Sequence, residues 1–336
     1  MGLMNAAQVA EPGADLAMVQ IEIPEPSDHE VLIKVEACGV CHGDAIPSRG
    51  GFPGLSYPRV PGHEVVGTIA KRGAAVTAWG TGTRVGVGWS GGHCMTCGPC
   101  VHGDYNNCED PWTTGLSVDG GYAEYMVARA SALVHIPDSL SSVDAAPILC
   151  AGGTTFSALK DSGARGGEIV AIHGIGGLGH LAIQYANRLG YTTVALSRGP
   201  EKEALARKLG AHHYIDTDAT DGAKELKALG GARVILATAP NAKAITGLIN
   251  GLGHNGQLII VAAPQEPMQI FPGMLFNGER SIKGWHGRRP GEALDFSVRF
   301  NVMPMIETFP LARAAEAFDR MMTAKVHFRC VLTMKA

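Results

Sequence analysis

Glu168-Ile-Val-Ala-Ile-His173 runs directly into Gly174-Ile-Gly176-Gly-Leu-Gly179, and this junction decides the fold. The leading segment is a short apolar, β-branched run of the kind that forms a buried strand, and Leu181 to Leu189 beyond it carries helical spacing. Glycines at the strand-to-helix turn each have a physical reason. Gly174 permits the tight turn, Gly176 lets the backbone approach a pyrophosphate, and Gly179 allows close helix–strand packing. Ile175, Gly177 and Leu178 complete a loop whose N–H groups, at the start of a helix, favour an anion.

A glycine-rich loop by itself is also what an ordinary tight turn looks like, so its surroundings matter. Strands are predicted at Thr192–Leu196, His213–Ile215, Arg233–Ala237, Gln257–Ala262 and Ser281–Lys283. Helices over Glu201–Leu209, Gly222–Leu229 and Ala242–Asn250 lie among them. Such alternation implies an α/β module with a doubly wound parallel sheet. Before Cys150 the chain is different: Val31–Val35, Glu64–Ala70 and Arg84–Val87 are short strands separated by Pro-Gly and Gly-Gly turns. The last ~50 residues, with a strand over Phe328–Leu332, return to this β-rich character. The predicted division is therefore a β-rich domain from residues 1–151 and 286–336, interrupted by a doubly wound domain over 152–285.

The 336 residues are 46% hydrophobic and 18% charged with a net charge of −3, a globular composition with no polyanion-binding signature. No basic run interleaved with aromatics suggests nucleic acid, and no apolar stretch approaches the ~20 residues that span a bilayer. The segment Met1-Gly-Leu-Met-Asn-Ala has no secretory pattern, so a cytoplasmic protein is the expectation.

Eight cysteines are unevenly spread, which favours metal over disulfides. Cys94-x2-Cys97-x2-Cys100-x7-Cys108 can close a tetrahedral zinc site with no open position, a structural arrangement. A run of reduced thiols or an iron–sulfur cluster is the alternative, although no second cluster motif is present. His93 and His102 flank the loop as solvent-facing residues rather than ligands. A second constellation is dispersed over Cys41-His42-Gly43-Asp44, Pro61-Gly62-His63-Glu64 and Leu149-Cys150. Catalytic zinc needs three protein ligands and an open place, and Cys41, His63 and Cys150 supply two thiolates and an imidazole. Taken singly each is an ordinary buried thiol or satisfied histidine; their joint appearance beside a cofactor fold points to metal.

Gly62-His63-Glu64-x2-Gly67-x5-Gly73-x2-Val76, the four-cysteine loop, Asp119-Gly-Gly-Tyr-Ala-Glu-Tyr125 and the glycine motif together resemble the medium-chain dehydrogenase/reductase family, specifically its compact microbial zinc alcohol dehydrogenases. The resemblance implies a GroES-like catalytic domain interrupted by a Rossmann domain, two zinc ions per chain, and hydride transfer between a nicotinamide cofactor and a small alcohol, aldehyde or ketone. It implies Cys41, His63 and Cys150 as catalytic zinc ligands, Glu64 as a carboxylate able to approach the metal, and Asp44 as the group orienting the imidazole. Thr154 is implied to pack on the nicotinamide ring, His42 and Arg329 to contact the pyrophosphate, and Trp89 to line the substrate pocket, with Trp112 and Trp285 as weaker candidates. A homodimer or homotetramer is implied, and neither a membrane nor nucleic acid as partner.

Two departures stand out. Relatives carry Ser or Thr where this chain has Gly43, and a histidine where it has Ile46, so the usual proton relay lacks both members. NAD enzymes also place a carboxylate at the end of the second strand. Here Leu196 is followed by Ser197-Arg198, with Lys202 nearby, which favours the 2′-phosphate of NADP(H) over NAD(H). Two other readings remain: an enzyme working chiefly as an NADPH-dependent aldehyde or ketone reductase, and an inactive zinc-bearing structural or redox-sensing relative.

Overall fold

The computed structural model describes residues 2–52 and 54–334, which form two compact units. Among the described residues, one comprises 2–52, 54–150, 290–299 and 304–334; the other comprises 151–289 and 300–303.

The second unit holds six parallel strands: β1 (Ile169–His173), β2 (Thr192–Ser197), β3 (His213–Asp216), β4 (Ala232–Ala237), β5 (Leu252–Ile260) and β6 (Ser281–Gly284). Their order is β3-β2-β1-β4-β5-β6, the doubly wound arrangement whose crossover falls beside β1. Val170, Ala171 and Ile172 are all fully buried, as expected for a central strand covered on both faces. Helices α1 (Gly179–Arg188), α2 (Glu203–Lys208), α3 (Gly222–Ala228) and α4 (Ala242–Leu248) connect the strands. The starts of α3 and α4 are written in the sequence. Asp221 Oδ1 accepts from the Ala223 N–H at 2.9 Å, and Asn241 Oδ1 from the Ala244 N–H at 2.9 Å. Leu226, Ile245 and Leu248 of these helices then pack on Ala171, Val194 and Ile235. One strand differs from expectation. β5 begins at Leu252 rather than Gln257, because its register against β4 shifts between Ala232 and Val234 and Asn255 takes a left-handed φ of 54°. A bulge of this kind breaks the period-2 pattern that betrays a strand.

In the first unit a seven-stranded sheet is ordered Ile306–Pro310, Arg329–Thr333, Glu30–Val40, Val65–Arg72, Arg84–Val87, Val134–His135, with Tyr125–Arg129 also paired to Glu30–Val40. Only the Ile306–Pro310 and Arg329–Thr333 pair is parallel. The core is built from Val31, Ile33, Val65, Val85 and Met126 together with Leu332. Among the described residues no helix is long and apolar enough to cross a membrane.

Candidate functional site

Strand register assembles the dispersed cluster. Cys41 follows the strand Glu30–Val40, and pairing of Cys38 with Val65 draws Gly62–Glu64 alongside it, with the Gly39 N–H donating to the Glu64 carbonyl at 2.9 Å. On the other flank Cys330 pairs with Val40, which sets Arg329 opposite Cys41. Cys150 arrives in a wide π-type turn, Ile148–Gly152, after the helix Ser142–Pro147. Pro147 has no N–H to continue that helix regularly, and a wide turn of this sort re-aims the side chains it carries. One ligand atom each from Cys41, His63, Glu64 and Cys150 all lie within 4.8 Å of one another.

The imidazole is fixed from behind. Asp44 Oδ1 lies 2.7 Å from His63 Nδ1, and the carboxylate also accepts from the Cys41 N–H at 2.9 Å, the Gly62 N–H at 3.2 Å and the Tyr122 hydroxyl at 2.9 Å. With Nδ1 committed to Asp44, the Nε2 lone pair is turned toward the two thiols. His63 Nε2 is buried and has no hydrogen-bond partner. A buried nitrogen left bare beside sulfur is costly unless something binds it, and the donor set suits zinc. Tyr122 was not anticipated as part of this site. It is fully buried and 78 positions from Asp44, a pairing that no local spacing could show.

Charge around the cluster is balanced internally. Glu64 and Arg329 form a buried ion pair, with residues 0% and 4% exposed. Burial pushes the Glu64 carboxyl up to about 7 against the opposing pull of Arg329, and its second oxygen has no partner. The Cys150 thiol, by hydrogen bonding, holds Cys41 well below the ordinary thiol range despite burial, with His63 helping. Burial lowers the affinity of His63 for a proton, but Asp44 and then Cys41 outweigh it and raise the imidazole above its usual range. Arg329 thus turns toward Glu64 in this structure.

The four-cysteine loop gathers its sulfurs locally. Cys94 lies 4.0 Å from Cys100 and 3.6 Å from Cys108, and Cys97 lies 4.0 Å from Cys108. Sulfurs at ~2.3 Å from a tetrahedral zinc stand about 3.8 Å apart, whereas a disulfide needs ~2.05 Å. Backbone N–H groups of Cys94, Cys97 and Glu109 point at Cys108, Cys94 and Cys97 sulfurs. The backbone N–H groups of Thr96 and Cys97 draw Cys94 down to about 6. His93 instead stacks on Tyr105 at 5.3 Å, and His102 is exposed.

In the second unit the glycines occupy three different environments. Gly174 has φ 95°; a Cβ on Gly176 would meet nothing within 4 Å; a Cβ on Gly179 would sit 1.9 Å from the Gly174 carbonyl oxygen. The first glycine thus makes the turn, the second leaves an open approach, and the third lets helix meet strand. Two carbonyls of the loop are tied down: Lys202 Nζ donates to Ile175 at 2.9 Å, and His180 Nδ1 lies 2.9 Å from the Gly176 oxygen. Because a trans peptide aims its C=O and N–H in opposite directions, these bonds turn the Gly176 and Gly177 N–H groups the other way. Lys202, expected beside the ribose, is therefore engaged with the loop itself. Ser197 ends β2 half-buried and Arg198 is exposed.

The remaining candidates separate. Trp89 stands edge-on to the His63 ring at 4.9 Å. Trp112 lies instead in the short ribbon with Ser90–Gly92, covered by Arg129 at 4.5 Å. Trp285 belongs to the second unit, where Nε1 donates to Ser157 Oγ at 3.0 Å and Lys283 and Arg288 flank its ring. Unlike Trp89, which faces His63, Trp112 faces a cation, and Trp285 a hydroxyl and two cations. His42 is exposed, Ile46 begins the short helix Ile46–Arg49, and Thr154 is buried in the helix Gly153–Lys160 beside Gly287.

Known proteins share this architecture. The family model for the alcohol dehydrogenase GroES-like domain matches residues 27–138, and that for zinc-binding dehydrogenases matches 177–300. The chain is 44% identical to alcohol dehydrogenase notN of Aspergillus sp. (strain MF297-2), covering 96% of each. It is 42% identical to an alcohol dehydrogenase of Geobacillus stearothermophilus, covering 99% of each. The crystal structure of CAD from Helicobacter pylori complexed with NADP(H) superposes with a TM-score of 0.86 at 25% identity, covering 99% of this chain and 98% of that one. Sequence, sheet order and relatives agree: the chain is an enzyme, an alcohol dehydrogenase of the zinc-binding medium-chain dehydrogenase/reductase family.

Proposed function

We propose that this enzyme holds two zinc ions per chain and interconverts primary or secondary alcohols with aldehydes or ketones, using NADP(H) in preference to NAD(H). The observation that carries the reading is the bare, buried Nε2 of His63 facing the sulfurs of Cys41 and Cys150. Those three residues would hold the catalytic ion, with Glu64 beside it, and Cys94, Cys97, Cys100 and Cys108 the structural one. When bound, the catalytic zinc supplies a Lewis acid for the substrate oxygen, and the nicotinamide supplies the hydride chemistry.

The protein's own groups prepare that chemistry. Asp44 keeps the proton of His63 on Nδ1, so Nε2 stays available. Arg329 neutralises Glu64, which keeps a second carboxylate charge from weighing on the ligands. The amides of the glycine loop are aimed by Lys202 and His180, and the positive end of α1 favours the pyrophosphate. At the end of β2, Ser197 can donate to a 2′-phosphate, and the exposed Arg198 guanidinium can pair with two of its oxygens.

Charge-assisted bonds of this kind contribute ~1.5–3 kcal/mol, roughly a ten- to hundredfold preference. The test is kcat/KM for NADPH and NADH with one aldehyde, for wild type and for the Ser197→Asp/Arg198→Ile variant. Preference for NADPH in wild type and for NADH in the variant is the expected outcome. A wild type that prefers NADH, or a variant that keeps its NADPH preference, overturns the assignment.

A further inference from the structure

Gly43 lies within the single 3-10 turn His42–Ala45, a backbone conformation open to any residue, so its lack of a side chain answers a demand for space. A Cβ placed there would stand 2.8 Å from His63 Cε1, 2.8 Å from Trp89 Cζ3 and 3.5 Å from His63 Nε2. Carbon atoms in contact sit at ~3.5–4.0 Å, so even a methyl group requires something to move. Neither neighbour is a loose chain end. The His63 ring is anchored at Nδ1 by Asp44, 2.7 Å away, and is 1% exposed as a residue. The Trp89 indole is rigid and packs edge-on against His63 at 4.9 Å and against Phe52 at 6.3 Å.

We propose that Gly43 is a positioning residue: its empty side-chain volume is what lets the Trp89 indole close on His63, so residues 43 and 89 form one steric pair acting on the ligand nitrogen. The inference rests on the reading of His63, Cys41 and Cys150 as zinc ligands. It follows that a side chain at position 43 requires the imidazole or the indole to shift. Serine or threonine there acts first as a wedge between imidazole and indole, and only a smaller residue at 89 makes room.

The pair is tested by a double-mutant cycle on the holoenzyme with Gly43→Ala, Trp89→Ala and both together. Zinc stoichiometry is measured by elemental analysis, zinc release is followed with a chelating dye, and kcat/KM is measured with one aldehyde. Gly43→Ala is expected to release one of its two zinc ions at least about tenfold faster than wild type, with the other unaffected. Adding the same methyl in the Trp89→Ala background is expected to accelerate release less than about threefold, because residue 43 or the imidazole can relax into the vacated space. Release from Gly43→Ala at the wild-type rate overturns the proposal, as does an equal effect with and without the indole. If Gly43→Ala does not fold, a folded double variant supports the pair, and failure of both overturns it. Two zinc ions in wild type with no coupling sinks the steric pair alone. A single zinc in wild type sinks the metal reading and this inference with it.

Discussion

The four-cysteine loop and the buried cluster around His63 both bring sulfur atoms together, by opposite means. In the loop the four cysteines fall between Cys94 and Cys108, and the supporting groups are backbone N–H donors from the same segment. Around His63 the residues come from the ends of separate strands and a wide helical turn, and side chains support them: Asp44, Tyr122 and Arg329. One arrangement depends on short-range spacing, the other on the register of a whole sheet. Loss of a ligand should therefore have different consequences in the two places.

Removing His63 (to Ala) or Cys150 (to Ser) should abolish turnover with one zinc retained and the melting temperature little changed. Cys100→Ser should instead lower the melting temperature by roughly 5–10 °C while the folded fraction keeps its turnover. Elemental analysis, thermal unfolding and steady-state rates on the same preparations read both arms. Substantial turnover in His63→Ala, or unchanged stability with full zinc in Cys100→Ser, would break the contrast. A smaller effect sharpens it. Asp44→Asn keeps an acceptor for His63 but replaces one of two oxygens that receive four donors, leaving N–H or O–H groups of Cys41 and Tyr122 facing an amide. Loss of about 10–100-fold in zinc affinity or kcat/KM is expected, and equality with wild type would remove Asp44 from the site. The smallest effect concerns Lys202. If its bond to the Ile175 carbonyl is what matters, Lys202→Met should weaken NADPH and NADH binding by the same factor, about two- to tenfold. A loss confined to NADPH, measured by fluorescence titration, would return Lys202 to the 2′-phosphate.

What could be read in the sequence follows the same division. The glycine motif and the four-cysteine spacing are legible because each requirement is met within a few residues of itself. The parallel, doubly wound sheet follows from strand–helix alternation, and the bulged start of β5 escapes it. Cys41, His63 and Cys150 could be nominated by residue type and resemblance, yet their meeting depends on pairing Cys38 with Val65. Tyr122 and the Glu64–Arg329 pair were out of reach, since partners 78 and 265 positions apart leave no local trace. The family resemblance implies Arg329 at the pyrophosphate, and Lys202 is expected near the 2′-phosphate beside Ser197 and Arg198. A buried carboxylate claimed the first and a backbone carbonyl the second, competitors that composition cannot reveal. Trp112 and Trp285 show the same limit, since neither the Arg129 guanidinium over Trp112 nor the Ser157 hydroxyl bound by Trp285 is signalled in the neighbouring sequence.

The carboxylate of Asp44 also bears on the order of events as the chain folds. Its donors arrive from residues 41, 62, 63 and 122, so the imidazole is not held until the sheet between them has closed. Cys94 and Cys108, by contrast, are 14 positions apart, a short loop whose closure costs little entropy. If the loop and the cluster hold the two proposed zinc ions, a nascent chain can take metal in the loop before the second site exists. Zinc supplied only early in refolding should then yield a stable protein that waits for its activity.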